Sequence, residues 1–152
     1  MSARAGRWHA AASSAAVAGF VALTALAPLS AMAQDRTLSP PGAQVYFISP
    51  ADGATVSSPF VVRFGLTGMG VAPAGVEKEH TGHHHLIVDA PLPPMDESIP
   101  SDENYRHFGG GQTEISLDLP PGRHSLQLLL GDNNHIPHDP PVRSGRISVT
   151  VK

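Results

Sequence analysis

Residues 113–131 read TEISLDLPPGRHSLQLLLG, which places two apolar segments on either side of a Pro-Pro-Gly turn. In the first segment apolar residues occupy every second position from Ile115 to Leu119, the period of a half-buried strand. The Pro-Pro-Gly sequence favours a tight reversal, so we expect segments 113–119 and 124–131 to form a hairpin. The whole stretch is typical of an all-β protein.

Similar short segments continue on both sides, separated by Gly, Pro, Asp and Ser. The predicted strands are 44–49, 60–66, 83–90, 113–119, 124–131 and 146–151, with a weaker one at 54–56. No stretch after residue 33 has a convincing helical period. Six or seven short strands with turns between them predict an immunoglobulin-like β-sandwich of about seven strands. A jelly roll or another Greek key is the alternative.

The first 33 residues have the layout of a secretory signal peptide. Arg4 and Arg7 form a short basic region, a mostly apolar stretch follows over residues 15–29, and Ala31-Met32-Ala33 is a small-residue cleavage site. The apolar stretch is short for a membrane-spanning helix. We therefore expect cleavage near Ala33 and a periplasmic or secreted mature protein without a membrane span.

The mature chain is short, acidic and free of cysteine. We expect residues 34–43 to be a flexible lead-in and residues 44–152 to form one β-sandwich domain. The mature part keeps 8 basic side chains against 13 acidic ones, a net charge of −5 with neutral histidines. The basic residues are scattered, which indicates no nucleic-acid partner. Zero cysteines exclude disulfides, thiolate metal sites and a cysteine nucleophile.

Four of the nine histidines crowd into residues 80–85, which read HTGHHH. The six stronger segments can be labelled in immunoglobulin order. Strand A is then 44–49, B is 60–66, C is 83–90, E is 113–119, F is 124–131 and G is 146–151. Strand C starts at one end of the sandwich. The long loop 91–112 should finish at that same end, and the F–G loop (131–141) should lie there too. Seven of the eight mature histidines would then meet at this end, and only His124 would lie at the other.

Strand alternation divides the histidine run. His84 shares a face with Leu86 and Val88, so we expect it to point inward and His83 and His85 to point outward. His124 lies in register with the leucines of strand F. We interpret His84 and His124 as buried or capping imidazoles rather than as ligands.

A metal site is the sharper functional hypothesis, because imidazole is a favoured ligand of zinc and of divalent copper or nickel. The first candidate ligands are His83, His85 and His135. The reserve ligands are His80, His107 and His138. Copper or zinc is the candidate ion, and otherwise we expect no cofactor. With Met69 and Met95 as the mature thioethers, a methionine-rich cuprous site is not expected.

The alternative is a ligand- or protein-binding module whose histidines form a structural hydrogen-bond network, as in many Asx-rich loops such as 132–134. No nucleophile motif occurs, so we expect a non-enzymatic protein. A three-histidine zinc hydrolase stays open as a further alternative. The partner would be a divalent metal ion or a small ligand, and the sequence indicates no particular protein partner.

Three motifs carry a family resemblance: GHHHLIVD at 82–89, HFGGGQTE at 107–114, and PGRHSLQLLLGD at 121–132 followed by HIPH at 135–138. With these motifs the chain resembles a family of small exported bacterial proteins known only as a domain of unknown function. The resemblance implies a periplasmic setting and assigns no catalytic residues. A looser similarity is to small periplasmic copper carriers of immunoglobulin-like fold, from which this chain departs by lacking a methionine-rich loop.

Overall fold

A computed structural model describes residues 36–152, and within them the chain is all-β. The strands are β1 (Gln44–Ser49), β2 (Ala54–Val56), β3 (Phe60–Thr67), β4 (Gly70–Val71), β5 (Thr81–Val88), β6 (Tyr105–His107), β7 (Glu114–Leu117), β8 (Gly122–Gly131) and β9 (Ile147–Val151). The all-β prediction is confirmed. The predicted signal peptide lies outside the described residues. In the part of the chain that is described, no helix is long and apolar enough to cross a membrane.

The strands form two sheets. The smaller sheet has the order β1-β3-β7, and the larger has the order β2-β9-β8-β5-β4 with β6 also paired to β5. The strands assigned as A, B and E thus lie in the smaller sheet, and those assigned as C, F and G lie together in the larger. β6 comes from the long 91–112 connection. The immunoglobulin-like assignment itself stays a prediction.

The predicted hairpin between segments 113–119 and 124–131 is wrong. β7 pairs with β3 in the smaller sheet, whereas β8 pairs with β5 and β9 in the larger one. Each segment has an apolar face, and in opposite sheets the two faces meet across the interior: Leu117 and Leu128 belong to the same core cluster. The Pro-Pro-Gly turn therefore carries the chain from one sheet to the other.

The two sheets share one apolar core. Val62 and Phe64 of β3 contribute from the smaller sheet, and alternate residues of β5, β8 and β9 contribute from the larger. Leu126, Leu128 and Leu130 of β8 are fully buried. Burying a leucine side chain stabilises a fold by about 1.5–3 kcal/mol, so these side chains hold β8 against the smaller sheet.

The opposite face of the larger sheet is also covered. Ile87 of β5 and Leu129 of β8 point to that face, where they form a second apolar cluster with Ile99 of the long connection. Leu92 and Met95 from the same connection pack against this cluster. Because of this cover, β5 is buried on both faces from Gly82 to Val88.

Candidate metal site

Four imidazoles lie side by side on the covered face of the larger sheet. They belong to His83, His85, His107 and His135, and we call these residues the histidine cluster. The ring centroid of His83 lies 4.8 Å from that of His85, 5.0 Å from that of His107 and 4.9 Å from that of His135. The rings of His107 and His135 are 4.7 Å apart. Three segments distant in sequence therefore deliver imidazoles to one place.

Strand pairing explains how these segments meet. His83 and His85 are two residues apart on β5, so their side chains leave the same face of the sheet. His107 lies directly opposite His85 in the β5–β6 pair, and their rings stack at 5.1 Å. Gly131 lies opposite His83 in the β5–β8 pair, and the chain turns back just after it. That turn carries His135.

Asp132 shapes the turn that carries His135. One carboxylate oxygen of Asp132, Oδ1, accepts the backbone N–H groups of Asn134 and Ile136, both at 2.9 Å. The backbone N–H of His135 donates to the carbonyl oxygen of Asp132 at 3.0 Å. His135 has a φ of 68°, which is uncommon for a residue other than glycine. The hydrogen bonds to Asp132 on both sides hold His135 in this conformation.

Two glycines leave room for the rings. A Cβ atom on Gly109 would lie 2.4 Å from Cε1 of His107, and a Cβ atom on Gly131 would lie 2.9 Å from Cε1 of His85. Neither glycine was predicted to make room for an imidazole. Their positions in the sequence could have indicated this role, because Gly109 begins the GGG run that follows His107 and Phe108, and Gly131 ends β8. Space for the imidazoles depends on the missing Cβ atoms.

The cluster is buried and its nitrogens lack protein partners. His83 and His85 are 0% exposed, and His107 and His135 are half-buried. Within residues 36–152, neither ring nitrogen of His83 or of His85 has a hydrogen-bond partner, and Nε2 of His107 has none. Buried polar atoms are normally paired, so this group of unpaired nitrogens requires an explanation.

Burial keeps His83 and His85 neutral. Desolvation, followed by the neighbouring imidazoles, lowers the pKa of His83 to about 4 and the pKa of His85 to about 2. Burial and then His135 also lower the pKa of His107. Lone pairs of neutral imidazoles are what a metal ion needs, since bound protons compete with it.

One nitrogen each from His83, His107 and His135 lies within 4.8 Å of the other two, so these residues could hold a metal ion. Around a tetrahedral ion, metal–nitrogen bonds of 2.0–2.1 Å place two ligand atoms about 3.4 Å apart. Ring movements on the order of 1 Å would close that difference. His85 lies beside this triad, with its ring 6.1 Å from that of His135.

The two remaining predicted ligands, His80 and His138, are not members of the histidine cluster. His80, a reserve ligand, is exposed and lies beside Thr37 and Glu79 in a surface depression rather than in the cluster. His138, also a reserve, is fully buried, and its Nε2 is 3.2 Å from the carbonyl oxygen of Thr81. Seven histidines were expected to lie together at one end of the sandwich, and the structure brings four of them together.

His84 and His124 were interpreted as buried or capping imidazoles, and the structure agrees for both. His84 points into the core, where its ring is 4.7 Å from that of Phe64. His83 and His85 point to the opposite face, but the expectation that they face outward is corrected, because other segments bury them completely. His124 is a capping imidazole: its Nδ1 is 2.6 Å from the carboxylate of Asp89, and its Nε2 is 2.9 Å from a backbone carbonyl.

Comparisons with known proteins bear on the same part of the chain. Neither the curated proteins nor the solved structures gave a match. One family model matches residues 62–152, a span that contains the whole histidine cluster and the strands that position it. The chain therefore belongs to the family described as Domain of unknown function (DUF4399).

Proposed function

We propose that this is an exported, non-enzymatic protein that binds a divalent transition metal ion, copper or zinc, through the histidine cluster. The observation that carries the proposal is the approach of one nitrogen each from His83, His107 and His135 to within 4.8 Å of one another. Export rests on the signal-peptide layout of the sequence. The metal proposal rests on the geometry of the cluster.

The unpaired nitrogens favour a metal over a structural network. Leaving a buried polar group without a partner costs about 1–3 kcal/mol, and both nitrogens of His83 and His85 are in this state. A hydrogen-bond network would supply partners from the protein, as Asp89 and Pro120 do for His124. A bound metal ion would instead use the one nitrogen lone pair of each neutral ring and would leave the other nitrogen as an N–H donor. The cluster therefore has the chemistry of a ligand set.

The donor set points to copper(II) or zinc. Imidazole nitrogens suit both ions, whereas cuprous copper prefers the softer sulfur of methionine. The mature thioethers do not contribute here: Met69 packs against the main apolar core and Met95 against the second apolar cluster. Three imidazoles leave at least one coordination position for His85, water or a small ligand.

Metal titration of the purified mature protein tests the proposal, with His135→Ala as the ligand variant. We expect zinc or copper(II) to bind with micromolar or tighter affinity by calorimetry. Loss of the His135 imidazole should weaken binding at least about 100-fold, since even residues behind the ligands affect metal affinity 10- to 100-fold. His135 lies in a turn and is half-buried, so this variant should keep the fold.

His80→Ala is the matched control, because His80 was a candidate ligand on sequence grounds but lies outside the cluster. Its metal affinity should equal that of the wild type. Equal losses in the two variants would contradict the assignment of ligands. No binding of zinc, copper or nickel to the wild type would remove the metal proposal altogether.

A second prediction concerns Gly109→Ala. The new Cβ would meet Cε1 and Nε2 of His107 at 2.4 and 2.7 Å, so the imidazole must move. Because the displaced atoms are the far end of a side chain, thermal stability should change little while metal affinity falls about tenfold or more. The control is Gly110→Ala, whose Cβ would meet the flexible side chain of Gln112. Equal metal affinities in the two variants would contradict the position of His107.

A further inference from the structure

We propose that residues 36–39, which we call the strap, regulate the metal affinity of the histidine cluster through Thr37 and Asp132. This inference rests on the proposed metal binding. It adds that docking of the strap and binding of the metal favour each other. The strap precedes the first strand and belongs to the lead-in that was expected to be flexible.

The strap is hydrogen-bonded to the turn that follows β8. The backbone N–H of Asp139 donates to the carbonyl oxygen of Thr37, and the N–H of Ser39 donates to the carbonyl oxygen of Asp139, both at 2.9 Å. Nε of Arg36 donates to the carbonyl oxygen of Pro137 at 3.0 Å. These bonds pair the strap with the second half of the turn that carries His135.

A single side-chain hydrogen bond connects the strap with the first half of the same turn. Oγ1 of Thr37 donates to Oδ2 of Asp132 at 2.8 Å. The other carboxylate oxygen of Asp132 accepts the N–H groups of the residues on either side of His135. Asp132 is 3% exposed. A buried carboxylate depends on its hydrogen bonds, so Thr37 helps to fix the group that fixes His135.

This arrangement has a thermodynamic consequence. When the strap is undocked, the Asp132 carboxylate loses one donor and the turn gains freedom, so a metal ion must order His135 as it binds. When the metal is bound, His135 and its turn are already ordered, and docking of the strap requires less ordering. Coupling of two binding events is reciprocal, so each must strengthen the other by the same factor.

The test pairs Thr37→Val with Thr37→Ser in the mature protein. Valine keeps the shape of threonine and removes the hydroxyl, whereas serine keeps the hydroxyl. We expect zinc affinity by calorimetry to fall about fivefold in Thr37→Val and to stay within about twofold of the wild type in Thr37→Ser. Rescue by serine separates the hydrogen bond from a general packing effect.

Hydrogen exchange of the wild type and of Thr37→Val tests the reciprocity of the coupling. Zinc should slow exchange at the backbone N–H groups of Ser39 and Asp139, which pair the strap with the turn, and should not do so in Thr37→Val. Tight zinc binding with unchanged exchange at these groups and equal affinity in Thr37→Val would overturn the coupling and leave the metal site standing. A wild type that binds no metal would overturn both.

Discussion

Acidification from pH 8 to pH 5 is expected to lower the free energy of unfolding of the metal-free protein by about 6 kcal/mol. Burial lowers the pKa of His83 and of His84 to about 4, and burial with neighbouring imidazoles lowers the pKa of His85 to about 2. All three are fully buried. Against an ordinary value of about 6.5, each contributes about 2 kcal/mol at pH 5.

The sign follows from where the protons bind. Above pH 6.5 the three imidazoles are neutral in both the folded and the unfolded chain, so their burial adds no pH dependence. Below pH 6.5 the unfolded chain takes up protons that the folded chain resists down to about pH 4. Stability therefore falls as the pH falls through this window. Total stabilities of domains are typically about 5–15 kcal/mol, so the expected loss is a large part of the total.

The ion pair between His124 and Asp89 acts in the opposite direction. The hydrogen bond to Asp89 raises the pKa of His124, so this pair stabilises the fold below pH 6.5 and loses its effect as the pH rises through the raised pKa. Asp89 is more than one-third exposed, and solvent weakens the pair. Its contribution should be too small to offset three buried imidazoles.

Urea unfolding followed by circular dichroism at pH 8, 7, 6 and 5 measures the effect. The midpoint should be almost constant from pH 8 to 7 and should fall steeply from pH 6 to 5. At pH 7, zinc at 100 times its dissociation constant should add about 2.7 kcal/mol, because it binds the folded chain. A midpoint that stays constant to pH 5 would show that the three imidazoles are accessible to protons in the folded chain.

Local sequence pattern predicts much of the fold because strand alternation depends on neighbours along the chain. Alternation placed His84 on the inner face of β5 and His83 and His85 on the other face, as the structure has them. Pairing between segments is not local. The turn at 120–122 suits a hairpin, but the apolar faces of β7 and β8 pack into one core from opposite sheets, and tertiary packing decides the outcome.

The site was only partly predictable for the same reason. His83, His85 and His135 were first candidates, and the structure brings them together with His107, which was a reserve. The position of His107 depends on the β5–β6 register, which no pattern within a three-residue strand could show. The burial of His83 and His85 likewise depends on segments far away in the sequence.

The second large effect is expected from His84→Leu, which should raise the free energy of unfolding by about 1–3 kcal/mol at pH 7. His84 lies in the apolar core, with its ring 4.7 Å from Phe64, and neither ring nitrogen has a hydrogen-bond partner within residues 36–152. Leucine is similar in size and needs no partner. The variant should also lose about one-third of the expected acid sensitivity, because one of three buried imidazoles is gone.

His85→Leu is the matched comparison, since it removes the next imidazole of the same strand from the opposite face. Both variants should reduce the acid sensitivity, but the two differ in their effect on metal binding. Zinc affinity should be unchanged in His84→Leu, because its side chain lies across the sheet from the cluster, and should fall in His85→Leu, whose ring stacks on His107. Equal zinc affinities in both variants would mean that His85 takes no part in the site. A loss in His84→Leu as large as that in His135→Ala would contradict the division of the histidine run between the two faces of β5.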